Sequence, residues 1–321
     1  MIISEAPCKI ILFGEHSVVY GYPAIASAIS LKTYVEIEEI NGGTELYSYS
    51  IGQRWVYGEN ETIEYKPLIR IIKYFEDEYN INLSRGLKIT IRSDVKPGSG
   101  LGTSASVAAA LTGALFKYIN KKPTKEEVNK IAYEAEKIAH GKPSGIDNSV
   151  AVYGGVIKFV KKENSYTIDR IESTPNIDLV IIDTGLGRST KVAVEKVYKL
   201  YSREKNTLTK IFESIGLIAE EAWNELHNTT PDRERLGRLM DINHGLLSAI
   251  GVSNYKIEEI INKARELGAL GAKITGAGLG GFVIVLPKER EVEEIVTKLS
   301  KIYQTVYSVK LEKEGVRVYE T

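Results

Sequence analysis

Cysteine is almost absent. Cys8 is the only one in 321 residues, which excludes an internal disulfide framework and a cysteine-ligated metal cluster and fits a reducing compartment, with the cytoplasm as the expected location. Nor is charge of one sign in excess, because 42 basic residues meet 42 acidic ones. The net charge therefore recruits neither nucleic acid nor an anionic membrane, and any affinity for phosphate has to be local. A basic leader is missing from the start, MIISEAPCKIILFGEHSVVYG, which reaches Glu5 and Glu15 early. A signal peptide or membrane anchor is thus not expected, and the mature chain is expected to begin at or near Met1. Repeats and low-complexity tracts are lacking too, and the scarcity of Met and Cys beside abundant Ile, Lys, Glu and Tyr suits a heat-tolerant protein.

What is present is an ordinary globular composition, 43% hydrophobic and 26% charged, in a chain long enough for two domains or one large layered domain. Residues 8–13 and 31–40 read as strands, the second with alternating inward and outward side chains. Residues 41–65 read as a hairpin with an exposed, aromatic-lined edge, followed by a helix at 67–79 and a strand at 87–93. A glycine loop then runs into an Ala-rich helix ending near residue 118. The next helix opens at Thr124 with Glu127 in capping-box spacing. Its apolar stripe is expected to run through Val128, Ile131, Ala132, Ala135, Ile138 and Ala139 and leaves Glu136 at the edge, where a carboxylate can point into a cleft.

The GKPSGIDNSVAVYGG stretch reads as a turn-rich connection to a strand at 156–160, and residues 161–175 carry a weak boundary signal. Beyond it come a strand (178–183), four helices (190–203, 206–227, 231–250, 256–267), a glycine loop at 275–281, a strand (281–286), a helix (289–301) and a last strand (304–311). The expected plan is α+β in two parts, 1–172 and 173–321.

Pro97-Gly98-Ser99-Gly100-Leu101-Gly102-Thr103-Ser104-Ala105 places three glycines before a helix start. Unpaired N–H groups and about half a positive charge from the helix dipole favour an anion there, and phosphate is the natural guest. It is neither a Walker A loop, lacking Gly-Lys-Ser/Thr, nor a dinucleotide fingerprint. A glycine turn that only packs a helix on a sheet is the plainer alternative, but this run is longer than packing requires.

Four ordered segments, KIILFGEHSVVYG, PGSGLGTSAS, HGKPSGIDNSV and TGAGLGG, together resemble the motifs of GHMP kinases over residues 5–285. GEHSVVYG with PSGIDN and RSTK (188–191) is most similar to the branch that phosphorylates (R)-mevalonate. The resemblance implies a domain like the second domain of ribosomal protein S5, a ferredoxin-like C-terminal domain, and an active site in the cleft between them. It implies ATP as co-substrate and Mg²⁺ as cofactor.

In that resemblance Asp147 matches the catalytic base, and Lys9 the cation beside it and the reacting hydroxyl. Residues 97–105 match the nucleotide loop, and Ser104 and Glu136 match the Mg²⁺ ligands, hard oxygen donors of the right kind. Glu15, His16, Ser144, Arg188, Thr190, Gly276 and Ala277 match the acceptor side, where a guanidinium fork suits a carboxylate. By position alone, Asp147 could cap the following backbone, Lys9 could be a solvated strand residue, and Glu136 and Arg188 ordinary surface charges. Leu279 stands where many relatives have glycine, which questions how closely backbone approaches ligand there. Cys8 reads as a small buried residue.

Residues 47–57 are the best candidate for stacking adenine, although their aromatics could equally cover a sheet edge. Galactose and phosphomevalonate are the alternative acceptors, and a nucleotide-binding regulator without catalysis is the alternative class. Galactokinases continue Gly-Glu-His with Thr-Asp-Tyr, whereas this chain continues Ser17-Val18-Val19-Tyr20-Gly21. A regulator would need only the glycine loop, not Lys9, Ser104, Glu136 and Asp147 together. Base rates for soluble proteins favour a homodimer.

Overall fold

The computed structural model describes residues 1–141, 143–162, 165–171, 173–187 and 189–320, with His140 as backbone alone. Contacts divide the chain into two compact units. The first gathers Met1–Lys9, Ala28–Gly154 and Glu314–Thr321, and the second gathers Ile10–Ser27 and Gly155–Lys313. The break expected near residue 172 lies inside the second unit.

Strands β1 (Ile2–Phe13) and β2 (Ala24–Gly43) pass through both units. They are followed by β3 (Glu45–Ser48), β4 (Gln53–Val56), α1 (Lys66–Tyr79), β5 (Arg85–Ser93), α2 (Thr103–Tyr118), α3 (Lys125–His140) and α4 (Ile146–Tyr153). In the first unit β2 and β5 are antiparallel, with Val35 opposite Ile91 and Ile37 opposite Ile89. β3 joins β5 in parallel and turns back through β4. The alternation along β2 puts Val35 and Ile37 inward with Leu46, Ile89 and Ile91, where they meet Ile72 and Phe75 of α1. Burying side chains of this size stabilises by about 1.5–3 kcal/mol each.

Helix α2 is covered on nearly every side. Its alanines 105, 108, 109, 110 and 114 are all buried, and small side chains let α3 and α4 pack close against it. Helix α3 starts with the capping box expected from its sequence: the Thr124 hydroxyl accepts from Glu127 N (3.2 Å), and the Glu127 carboxylate accepts from Thr124 N (2.7 Å). The Ile146–Tyr153 stretch, expected as a turn-rich connection, is a short helix instead. Only Ile146 and Val150 recur at helical spacing, while Ala151 and Val152 are buried on other sides, so eight residues between glycines show no helical stripe.

In the second unit come β6 (Val156–Lys161), β7 (Tyr166–Ile171), β8 (Asp178–Asp183), α5 (Thr190–Arg203), α6 (Lys205–Leu226), α7 (Arg233–Ala249), α8 (Tyr255–Glu266), β9 (Gly271–Thr275), β10 (Phe282–Leu286), α9 (Val292–Ser300) and β11 (Val306–Lys310). The antiparallel sheet β11-β8-β10-β9, with helices in the β8–β9 and β10–β11 connections, is ferredoxin-like as expected. One face of it, with Val180, Ile182, Val283 and Val285, packs on Ile257, Ile260 and Ile261 of α8 and Leu299 of α9.

The chain closes in the first unit with β12 (Arg317–Glu320), antiparallel to β1 from Ile2↔Glu320 to Glu5↔Arg317. Glu5 Oε1 accepts from Lys32 Nζ (2.8 Å), Arg317 (2.6 Å) and the Tyr319 hydroxyl (3.0 Å). β1 and β2 both begin earlier than their apolar patterns indicate. Pairing with β12 extends the first, and pairing with β6 (Ala24↔Phe159) extends the second. Among the described residues no helix is long and apolar enough to cross a membrane.

Helix α7 approaches β9 closely because both carry glycine at the contact. A Cβ on Gly237 would sit 2.2 Å from Leu270 O, and one on Gly271 2.2 Å from Gly237 O. Gly245, on the same helix, faces open space. Gly237→Ala is therefore expected to destabilise by about 1–3 kcal/mol through backbone displacement. Gly245→Ala is expected to stabilise by about 0.5–1 kcal/mol through helix propensity. Urea unfolding midpoints of the two variants check the opposite signs.

Candidate active site

The glycine loop of the first unit is built by backbone conformations that side chains resist. Gly98, Gly100 and Gly102 have φ of 74°, 89° and 75°. Gly102 is the N-cap of α2 and makes no side-chain cap, so the helix meets the loop without a capping side chain on its first N–H groups. The loop is tied to β1 where Lys9 N donates to Leu101 O (2.7 Å). Lys9 then crosses it: a Cβ on Gly102 would lie 2.7 Å from Lys9 Cγ. Glycine is needed at 102 for the turn and for the lysine stem at once.

Across the loop the Lys9 ammonium reaches Asp147 Oδ1 at 3.1 Å. Asp147 sits in the first turn of α4, whose N-cap is Gly145 at φ 87° with no side-chain cap. The local backbone is held by neighbours instead, with Ile146 N donating to Ser144 Oγ (3.3 Å) and Ser149 Oγ to Gly145 O (2.6 Å). Of the two roles open to Asp147 in the sequence, the geometry gives it the partnership with Lys9 and not the cap. Nor is Lys9 a solvated strand residue, since it is 8% exposed.

Ser104 is the second residue of α2, and Glu136 of α3 is buried at 2% exposure. Among the described residues no group of three or more His, Cys, Asp or Glu side chains gathers to hold a metal by itself. The hydroxyl and carboxylate are hard oxygen donors of the sort that bind Mg²⁺ together with phosphate oxygens and water, and that donor set fits the ion the family implies. Cys8 is fully buried beside Ser106 Oγ (4.0 Å), and burial pushes its thiol up to about 12. It is an unreactive packing residue, as its sequence context implies. Trp55 is buried in the core, while Tyr47 meets Tyr49 edge-on and Arg92 lies over the Tyr49 ring, 4.6 Å from its centroid.

The second unit gathers the other motifs. Gly14 has φ 89°, and a Cβ there would lie 2.3 Å from Pro23 O. His16 has positive φ too, 61° with ψ −46°, without glycine's freedom. Its Nε2 is 2.9 Å from Ala277 O, so the ring carries its proton on Nε2 and donates it. Burial holds the imidazole below the ordinary histidine range, with the Ala277 carbonyl opposing the shift. Glu15 is buried and ion-paired with Lys273, which is wholly buried in β9 and also donates to Ile274 O (2.6 Å). Burial pushes the Glu15 carboxyl up and the Lys273 ammonium down, each countered by the other's charge. Asn243 of α7 reaches the same carboxylate at 3.5 Å. Thr275 Oγ1 accepts from Ile11 N (2.8 Å) and donates to Ile11 O (2.9 Å).

Next to Ala277, Gly276, Gly278 and Gly281 have positive φ, and Leu279 shares it at 61°. Leu279 N donates to Val252 O (2.7 Å), so leucine keeps the left-handed backbone a glycine would give, at a cost of about 1–2 kcal/mol. Thr184 N donates to Gly281 O (2.9 Å), setting the loop that leads to α5 beside the glycines. Ser189 caps α5 through Val192 N (3.3 Å), and Thr190 is its exposed first residue. Arg188 lies outside the described residues. Lys273, Asn243 and Thr275 were missed in the sequence. The legible signal was Lys273 itself, a lone charge inside the apolar strand that feeds the TGAG motif.

Residues 66–155 match the family described as GHMP kinases N terminal domain, and residues 220–305 the one described as GHMP kinases C terminal. The mevalonate kinase of Pyrococcus furiosus is 37% identical over 337 residues, covering 99% of this chain and 98% of that one. The crystal structure of L. major mevalonate kinase in complex with R-mevalonate superposes with a TM-score of 0.84 at 30% identity, covering 97% of this chain and 96% of that one. The Methanococcus jannaschii mevalonate kinase superposes with a TM-score of 0.84 at 31% identity, covering 97% and 98%.

His16 and His244 are both held below the ordinary histidine range, chiefly by burial. Below a pH of about 6.5 the unfolded chain therefore binds more protons than the folded one. Stability is expected to rise with pH up to about 6.5 and to fall on acidification. His16→Gln, which keeps a donor for Ala277 O, is expected to flatten that slope in urea melts between about pH 5 and 7. An unchanged slope would contradict a neutral, buried His16.

Proposed function

The chain belongs to the GHMP kinase family, and we propose that it is an ATP-dependent mevalonate kinase. It converts (R)-mevalonate and ATP to (R)-5-phosphomevalonate and ADP, an early step toward isoprenoids. The observation that carries the chemistry is the Lys9–Asp147 pair at 3.1 Å, with the Lys9 stem lying over the last glycine of the phosphate loop. Full-length similarity to mevalonate kinases supports the acceptor.

Phosphoryl transfer asks for position and charge more than for covalent help. The loop at 97–105 receives the nucleotide phosphates on backbone N–H groups at the start of α2. Asp147 takes the proton of the C5 hydroxyl as that oxygen bonds to the γ-phosphorus and the bond to the β,γ-bridging oxygen breaks, releasing ADP. Lys9 sets a positive charge beside the Asp147 carboxylate, where it offsets the negative charge that develops on the hydroxyl oxygen as its proton leaves. Ser104 and Glu136 would hold Mg²⁺ with phosphate oxygens and water. When bound, the ion offsets charge developing on the phosphoryl oxygens.

On the acceptor side, His16 donates its Nε2–H to Ala277 O. Its Nδ1 is left as a lone-pair acceptor, which suits an acceptor hydroxyl and not a carboxylate. The carboxylate is assigned to Arg188, and Thr190, Ser144, Gly276 and Ala277 are the other residues assigned to the acceptor. Glu15 acts through the turn it anchors. The enzyme is placed in the cytoplasm, as a homodimer by base rate.

Asp147→Asn is expected to lower kcat for mevalonate by about 10²–10⁴-fold, with the KM for ATP little changed. ADP release measured with mevalonate, galactose, phosphomevalonate and homoserine, in the wild type and this variant, tests the reading. Turnover confined to another acceptor would move the substrate. Nucleotide binding without turnover on any of them would make the chain a regulator.

A further inference from the structure

We infer that Lys273 is a positioning residue for the acceptor side of the site, holding the Gly14–His16 turn against the Gly276–Ala277 loop through its buried ion pair with Glu15. The inference rests on the proposed acceptor role of His16.

Lys273 stands in the middle of β9, with Gly271, Ala272, Ile274 and Thr275 all buried around it. Removing an ammonium and a carboxylate from water is unfavourable enough that apolar residues of similar volume often serve stability as well or better. A pair kept in such a place is better explained by what it orients. Both charges are at most 1% exposed in their side chains, so neither can touch a substrate directly.

What they orient is a strained turn. His16 sits at φ 61° and Gly14 at φ 89°. A non-glycine residue persists in that region only where its surroundings over-determine it. Three contacts supply this in succession, joining residues 11–16 to 273–277. Thr275 bonds both backbone groups of Ile11, Lys273 pairs with Glu15, and His16 Nε2 reaches Ala277 O. The ion pair grips the residue next to His16 and donates from Lys273 to Ile274 O within the strand. The imidazole is thereby fixed at both its backbone and its ring, with Nδ1 as the nitrogen left for a ligand. Lys273 controls acceptor recognition without touching the acceptor.

The test replaces both charges with apolar groups, Glu15→Met with Lys273→Met, so that no unpaired charge is left in the core. The double variant is expected to unfold at or above the wild-type urea midpoint. Its KM for mevalonate is expected to rise about tenfold or more with the KM for ATP unchanged. The slowly exchanging His16 Nε2 proton, followed by NMR of histidine-labelled protein, is expected to disappear. Glu15→Asp, which keeps the charge but shortens its reach, is expected to shift the same readouts in the same direction and provides the test if the double variant does not fold. A variant that keeps both the imidazole proton and the mevalonate KM overturns the inference. Loss of the proton with an unchanged KM upholds the positioning role and removes His16 from acceptor binding.

Discussion

The stem of Lys9 occupies the space that a side chain at residue 102 would need, and the arrangement of the glycine loop depends on that exclusion. Because Gly102 yields the space, the ammonium can cross the loop and reach Asp147, 34% exposed in its side chain. Because Lys9 N also bonds Leu101 O, the strand and the loop cannot shift independently. One backbone hydrogen bond and one missing methyl group therefore set the distance between the glycine loop and the carboxylate. The Ala-rich helix behind the loop matches this arrangement, since small side chains let it sink among its neighbours and bring its first turn to the loop.

The protein uses two lysine–carboxylate pairs in opposite ways. Lys9–Asp147 keeps its carboxylate partly in solvent, within reach of a ligand. Lys273–Glu15 is sealed, and removing either partner would leave an unpaired charge in a dry core. The first pair can be reached from solvent and the second cannot. Residue type and motif membership do not separate them, because Glu15 and Asp147 both sit in glycine-flanked motifs. Burial does.

That distinction marks the limit of what the sequence made legible. The α2 loop, the Thr124–Glu127 capping box and the four-helix run of the second half rest on local patterns, and local patterns are written in consecutive residues. Lys9 and Asp147 could be named from motifs, but their contact joins residues far apart in the chain. The short helix at Asp147 was hidden because eight residues between glycines show too little of a helical period. β12, with the sequence RVYE, has no apolar face to announce it; it is a strand because β1 offers it an edge. For the same reason, units that both draw on β1 and β2 leave no single seam in the sequence.

The pairing of β12 with β1 has a consequence for how the protein is made. A ribosome delivers Ile2–Glu5 long before Arg317–Glu320, yet these segments are neighbours in one sheet, and Glu5 waits for Arg317 and Tyr319 to complete its bonds. The first unit therefore cannot close until Arg317–Glu320 have emerged, whereas the residues of the second unit have all been synthesised by Lys313. Contacts of such long sequence separation form late, because loop closure must precede them. Until Arg317–Glu320 arrive, the edge of β1 that will receive β12 stays open to other strands, and their pairing is the event that shuts it.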